Sequence, residues 1–219
     1  CPECAAEYAD PGDRRFHAET IACPACGPRL ELYDRDGQPV ACADALAEVV
    51  ARLHEGAIVA MKGLGGFHLC VDAANDAAVR RLRRQKCREE KPFAIMVRDV
   101  ARAEAFAELD EADRLLLESF ERPIVLVRKR SRSPLSGALA PGMATLGIML
   151  PYTPLQHLLL QEDFHALVMT SANRTDEPIC IGNRETIARL NGIADLFLTH
   201  NRDILVRCDD SVAMTLDGE

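Results

Sequence analysis

An α/β domain with a twisted mixed sheet and flanking helices, preceded by a small four-cysteine module, is the fold class this sequence predicts. Three observations carry it. Short apolar runs alternate, imperfectly, with stretches whose apolar residues recur at helical spacing. The chain has 219 residues, 48% hydrophobic and 27% charged, which suffices for one substantial core beside a small module. Two C-x-x-C pairs stand at its start, separated by 18 residues.

Those pairs, Cys1-Pro-Glu-Cys4 and Cys23-Pro-Ala-Cys26, have the spacing of a closed zinc site. Gly27 and Pro28 follow as a tight turn requires. A redox C-x-x-C, the competing reading, usually stands alone beside a βαβ unit. His17 is read as a polar residue of the intervening loop. Residues 1–32 are too few to bury a core, so the metal would hold them folded. Four sealed thiolates leave no open position for catalysis.

Nine cysteines is an odd number, which excludes a fully paired disulfide framework. The scattered thiols Cys42, Cys70, Cys87, Cys180 and Cys208 fit a reducing cytosol, so a cytoplasmic location is expected. A net charge of −8 argues against a general nucleic-acid or membrane coat. No apolar run is long enough to span a bilayer. The start on Cys1, not Met, reads as a piece cut from a longer protein.

Residues 33–41, charged and with Gly37 and Pro39, read as a linker, and 42–219 as the α/β domain of about seven strands. Leu46, Val49, Val50 and Leu53 recur at helical spacing, with Asp44 to cap the start and Gly56 to close the end. A strand at 57–61 leads to Lys62-Gly-Leu-Gly-Gly66 and a second apolar run at 67–71. The glycines mark either a tight hairpin or a close approach to a ligand. They match neither a Walker loop nor the dinucleotide fingerprint. His68 reads equally as a buried, hydrogen-bonded histidine or as a site residue.

Asn75 to Gln85 predicts a helix, and Pro92 blocks its continuation. Arg80, Arg81, Arg83, Arg84, Lys86, Arg88 and Lys91 make this the densest positive charge in an acidic chain. A solvated basic face is the ordinary reading. The alternative is an anion site, since a triphosphate needs several such cations. Strands follow at 93–97, 123–127 and 146–150, two helical patterns at 99–118, and a helix at 154–161. The run 167–169 reads as a buried strand, with Thr170, Ser171 and Asn173 in the loop after it, where open α/β sheets bind ligands. Alone, that loop reads as a polar turn; beside Lys86, Arg88 and Lys91 it becomes one wall of a nucleotide cavity. A loop with Asp176, Glu177 and Pro178, a helix at 183–191 and strands at 195–199, 204–206 and 212–214 complete the chain.

Lys86-x-Arg88, Lys91-Pro92 and Thr170-Ser-Ala-Asn173 together resemble the YrdC-type domain of carbamoyl- and threonylcarbamoyl-adenylate synthases. Glu7-Tyr8-x-Asp10-Pro11, Arg14-Arg-Phe-His-Ala18, Cys23-Pro24-x-Cys26-Gly27-Pro28, Lys62-Gly-Leu-Gly-Gly-Phe-His-Leu69, Lys91-Pro-Phe-Ala94 and Cys208-Asp-Asp-Ser-Val212 resemble the HypF carbamoyltransferases of [NiFe]-hydrogenase maturation. The resemblance covers essentially the whole chain and corresponds to the second zinc finger and the YrdC-like domain. It implies a transferase of ligase-like, adenylate-forming chemistry. Carbamate, released from carbamoyl phosphate by another domain, would attack the α-phosphorus of ATP to give carbamoyl-adenylate and pyrophosphate. A further domain would pass the carbamoyl group to the C-terminal cysteine of a HypE-like acceptor.

On that resemblance Lys86 and Arg88 would be catalytic. With Lys91, Thr170, Ser171 and Asn173 they would bind the nucleotide. Lys62, Gly65, Gly66 and His68 would form the carbamate pocket. Asp209 and Asp210 would bind Mg²⁺ or form a structural ion pair with Arg207. Cys1, Cys4, Cys23 and Cys26 would hold Zn²⁺. Two other functions compete: threonylcarbamoyl-AMP synthesis for tRNA modification, which leaves the finger unexplained, and a zinc-dependent module binding RNA or protein through its basic helix.

Overall fold

The structure is a computed structural model; it describes residues 1–88, 90–175 and 177–216. The expected loop position Asp176 and the last three residues of the expected domain lie outside the described residues. The mixed α/β sheet is found, larger than expected, with ten strands among the described residues. They are β1 (Leu30–Asp34), β2 (Val59–Lys62), β3 (Phe67–Asp72), β4 (Ala94–Met96), β5 (Ala107–Glu108), β6 (Ile124–Lys129), β7 (Thr145–Met149), β8 (Leu167–Ser171), β9 (Leu196–His200) and β10 (Val212–Ala213). The spatial order is β1-β9-β2-β3-β8-β4-β7-β6-β10, with β5 paired to β6. Three pairs are parallel (β2 with β9, β4 with β7, β6 with β10), and the other neighbours are antiparallel.

Helices form where caps and periodicity coincide. Helix α1 (Pro2–Ala9) lies within the four-cysteine module, where the sequence offered only a loop. In α2 (Ala45–His54), Asp44 accepts from the amides of Leu46 and Ala47. Gly56 ends it at φ +88°, and a Cβ there would meet the Asn75 amide at 2.9 Å. Asn75 caps α3 (Asp76–Gln85) through the Ala78 amide. Helices α4 (Val100–Glu104) and α5 (Glu111–Glu118) flank β5. A capping box between Thr153 and Gln156 starts α6 (Pro154–Leu160), and α7 (Asn183–Leu190) precedes β9.

Apolar layers cover both faces of the sheet. Phe67, Leu69, Ile95 and Phe197 pack with Val79 and Leu82 of α3 on one side. Met61, Met96, Leu167 and Met169 pack with Val49 and Leu53 of α2 and Leu159 of α6 on the other. Burial on both faces explains why these strands read as continuous apolar runs.

Three expectations are corrected in detail. Thr170 and Ser171 belong to β8, not to the loop after it, because they pair with Leu69 and His68 across the β3 ladder. Residues 204–206 form no strand; Leu205 and Val206 are exposed, and the segment runs on to bond through Cys208 to Gly65. Residues 33–41 include the end of β1 and a turn that returns to pair Pro39 with Tyr33. That strand lies antiparallel to β9 over five register pairs.

Candidate nucleotide site and four-cysteine centre

Helix α3 ends at Gln85, and the chain then turns sharply. Cys87 takes φ +50°, a left-handed conformation rare outside glycine, between Lys86 and Arg88. The turn sends both cations towards the end of β8. Lys86 is 6% exposed, and its ammonium donates to the Ser171 carbonyl (2.5 Å), the Asn173 carbonyl (2.9 Å) and Asn173 Oδ1 (2.6 Å). Ser171 Oγ also donates to Asn173 Oδ1, and Asn173 Nδ2 to the Glu177 carbonyl. Arg88 donates to Thr170 Oγ1 at 3.1 Å and to the carbonyls of Lys91 and Pro92.

The two distant loops therefore meet. Lys86, Cys87, Arg88, Lys91, Ser171, Asn173 and Thr175 line one cavity of about 270 Å³. Its charge is concentrated under low-dielectric cover. Burial, then the charges of Arg88 and Lys91, lower the Lys86 pKa to about 7. Burial, with Arg83 beside it, lowers that of Arg88 to about 10. A polyanion entering here would offset that repulsion.

Two residues of this region escaped the sequence reading. Thr175 Oγ1 donates to the Lys86 carbonyl at 3.0 Å. Arg83, one of several arginines on a basic helix, is turned inward. Its guanidinium donates to the carbonyls of Arg88, Lys91, Ala138 and Leu139 and lies 4.7 Å over the Phe93 ring. It ties the cation-bearing loop to α3 and to the 137–139 turn. Charge count gives no sign of this, because it does not say which arginine finds backbone acceptors.

The expected carbamate residues are more dispersed. Lys62 is buried and donates to the His200 carbonyl at 3.1 Å, towards β9. β2 and β3 form a hairpin closed by Gly63 N–H to the Gly66 carbonyl, 2.8 Å. A Cβ at Gly65 would collide with the Cys208 backbone, and one at Gly66 with Ile179. Close packing thus accounts for both glycines. His68 stands opposite Ser171 on the β3–β8 ladder. Its Nε2 is 2.9 Å from Asp210 Oδ2, while Tyr152 OH donates to Asp210 Oδ1, also at 2.9 Å. Asp209 is exposed, and Arg207 donates to the Ile179 carbonyl.

At the other end, the sulfur atoms of Cys1, Cys4, Cys23 and Cys26 lie within 4.8 Å of one another. Three of the separations are 3.6, 3.6 and 3.8 Å. An ideal tetrahedron with Zn–S bonds of ~2.3 Å has edges of about 3.8 Å, so the thiols fit zinc. His17 stays out of the cluster and stacks on Tyr8 at 5.0 Å. Asn201, just after β9, accepts from the Arg29 amide and donates to the Gly27 carbonyl, docking the module on the sheet. No described helix is long and apolar enough to cross a membrane.

Comparison with known proteins agrees with this anatomy. The Sua5/YciO/YrdC family, described as telomere recombination, matches residues 51–219, and the HypF finger matches 1–33. Carbamoyltransferase HypF2 of Cupriavidus necator is 53% identical over all of this chain, which covers 35% of that protein. The crystal structure of full-length HypF in the phosphate- and nucleotide-bound form superposes with a TM-score of 0.87 at 47% identity, over 98% of this chain and 28% of that one. T. kodakarensis HypF superposes at 0.90 with 44% identity, over 100% and 29%. The chain thus spans about a third of the length of the curated relatives it matches. It belongs to the Sua5/YciO/YrdC family, in the finger-bearing form shared with the HypF carbamoyltransferases.

Proposed function

We propose that this chain is the adenylate-forming part of a carbamoyltransferase. Residues 42–219 bind ATP with Mg²⁺, and residues 1–32 are a finger held by structural zinc. Carbamate, derived from carbamoyl phosphate, attacks the α-phosphorus to give carbamoyl-adenylate and pyrophosphate. Other domains then pass the carbamoyl group to the C-terminal cysteine of a HypE-like acceptor in [NiFe]-hydrogenase maturation.

The observation that carries this reading is the meeting of Lys86 and Arg88 with Ser171 and Asn173 around one small cationic cavity. Negative charge builds on the phosphorus oxygens and the leaving pyrophosphate, and preorganised cations stabilise it. Lys86, Arg88 and Lys91 face the phosphates, with Thr170 orienting Arg88 and Ser171 and Asn173 on the α-phosphate or ribose side. Mg²⁺ would come with the triphosphate, and the exposed Asp209 would be the carboxylate free to meet it, since both oxygens of Asp210 already accept hydrogen bonds. Of the residues expected for the carbamate end (Lys62, Gly65, Gly66 and His68), His68 pairs directly across the ladder with Ser171 of the cavity wall.

Lys86→Ala and Asn173→Ala are each expected to weaken ATP binding tenfold or more while the far-ultraviolet dichroism stays unchanged. Calorimetry checks this; unchanged affinity in both variants sinks the proposal. Pyrophosphate release that depends on threonine, and not on carbamate, would move the function to threonylcarbamoyl-adenylate synthesis.

A further inference from the structure

The β6–β7 hairpin and the 131–140 segment enclose a cavity of about 480 Å³ that the proposed function does not use. Small-molecule sites run from about 300 to 1,000 Å³. This cavity shares no lining residue with the nucleotide cavity. Arg83 joins the two walls: it donates to the Arg88 and Lys91 carbonyls beside one and to the Ala138 and Leu139 carbonyls beside the other. The way in is from solvent, because Arg128, Arg130, Ser131, Ser133 and Gly137 on the wall are exposed.

The lining is apolar at one end and cationic at the other. Phe106, Leu139 and Leu146 are buried members of the layer that α3 covers. Arg128, Lys129 and Arg130 line the rim, and among the described residues no acidic side chain does, in a chain of net charge −8. A run of surface cations is ordinarily just solvated. Here two of the three are anchored on neutral groups. Lys129 Nζ donates to the Ala140 carbonyl at 2.9 Å. Arg130 Nε donates to the Glu104 and Ala107 carbonyls, at 2.7 and 3.0 Å. The Glu104 carboxylate pairs with Arg114 instead, and Glu108 reaches Arg128 only at 3.8 Å. Carbonyl anchors fix where a cation sits and leave its charge uncompensated, so an anion gains the full charge-assisted bond. Ser133 Oγ accepts from the Leu135 amide at 3.2 Å and keeps its proton to donate.

We propose that this cavity is a second anion site, which takes a phosphate monoester of an apolar or aromatic group. The phosphate lies on Lys129, Arg130 and the serine hydroxyls, and the apolar end on Phe106, Leu139 and Leu146. A phosphate monoester carries close to two charges at neutral pH and three acceptor oxygens, enough to engage an ammonium, a guanidinium edge and a hydroxyl together. A carboxylate brings one charge and fewer oxygens to the same donors. Inorganic phosphate meets the cations but leaves the apolar floor in water.

The test is amide NMR of the whole chain, titrated with phenyl phosphate at constant ionic strength and without nucleotide. Amides of 128–140 should move, and the affinity read from them should be the same in Lys86→Ala, which takes a cation from the other cavity. Gly137 lines the cavity, and a Cβ there would meet nothing within 4 Å, so Gly137→Leu adds bulk without a clash. Gly137→Leu and Arg130→Gln should each weaken binding roughly tenfold, with the far-ultraviolet dichroism unchanged. Should Arg130→Gln fail to fold, Gly137→Leu decides alone. Shifts confined to 86–91 and 171–175 overturn the proposal, as does an affinity that Gly137→Leu leaves unchanged. Benzoate and inorganic phosphate should both bind more weakly than phenyl phosphate; equal binding of either overturns it too. Loss of ATP binding, which would undo the proposed function, is a separate result.

Discussion

With a pKa of about 7, Lys86 changes charge within the range where such a site would work, because burial and then Arg88 and Lys91 disfavour its protonated form. The folded value lies below the ordinary 10.5, so the free protein loses this proton as pH rises through about 7. The unfolded chain keeps it to about pH 10. Between these values the unfolded state holds more protons, so the penalty this group imposes on folding, full below about 7, is relieved as pH rises. A bound triphosphate acts the other way and restores the proton. ATP binding is therefore expected to take up a proton above about pH 7, with affinity falling about tenfold per pH unit. Calorimetry in buffers of different ionisation enthalpy reads the uptake directly; an affinity that is flat from pH 6.5 to 8.5 would contradict it. Arg83 acts at the same scale by shape. A lysine keeps the charge but cannot reach four carbonyls with a planar fork. Arg83→Lys should lose about 1–3 kcal/mol in urea unfolding and weaken ATP binding several-fold. Lys86, Arg88, Ser171 and Asn173 were legible in the sequence because polar and charged residues there interrupt apolar patterns. Tyr152 and Arg83 were not, since their roles depend on which distant backbone or carboxylate comes within reach.

Among the elements, most helices and strands could be read because capping residues, proline stops and apolar spacing agree about them. The failures have a common physical cause. A short apolar run reads as a strand whether or not it finds a partner, and 204–206 finds none. Conversely, β8 continues through Thr170 and Ser171 because pairing with β3 outweighs their polar character. The hairpin glycines are where element geometry becomes most exacting. The Cys208 amide donates to the Gly65 carbonyl at 3.0 Å, and backbone cannot give way as a flexible side chain can. Gly65→Ala should cost about 1–3 kcal/mol. It should also raise the hydrogen-exchange rate of the Cys208 amide more than that of amides within β3. Equal protection at both places would mean that the 207–210 segment is held by its side chains alone.

For the molecule as a whole, the four-cysteine module and the sheet would be held by different means, the first by a metal on its thiolates and the second by its buried apolar layers. A chelator should unfold residues 1–29, where the module has little buried apolar surface, and leave the sheet intact, β1 included. Dichroism and proton NMR before and after chelation would show this; collapse of the entire signal would mean that the finger supports the sheet. The sequence revealed the α/β class and the finger, because both rest on local patterns. It could not reveal the strand order, which depends on pairings across the length of the chain. That order sets a schedule for synthesis. β9 lies between β1 and β2, so both must leave the ribosome and wait until residue 200 has emerged before their shared neighbour exists. At about 5–20 residues per second the delay for β1 is on the order of ten seconds or more. Through that interval the edge of β1 that β9 will take stays open, while the turn that returns Pro39 to Tyr33 can already form.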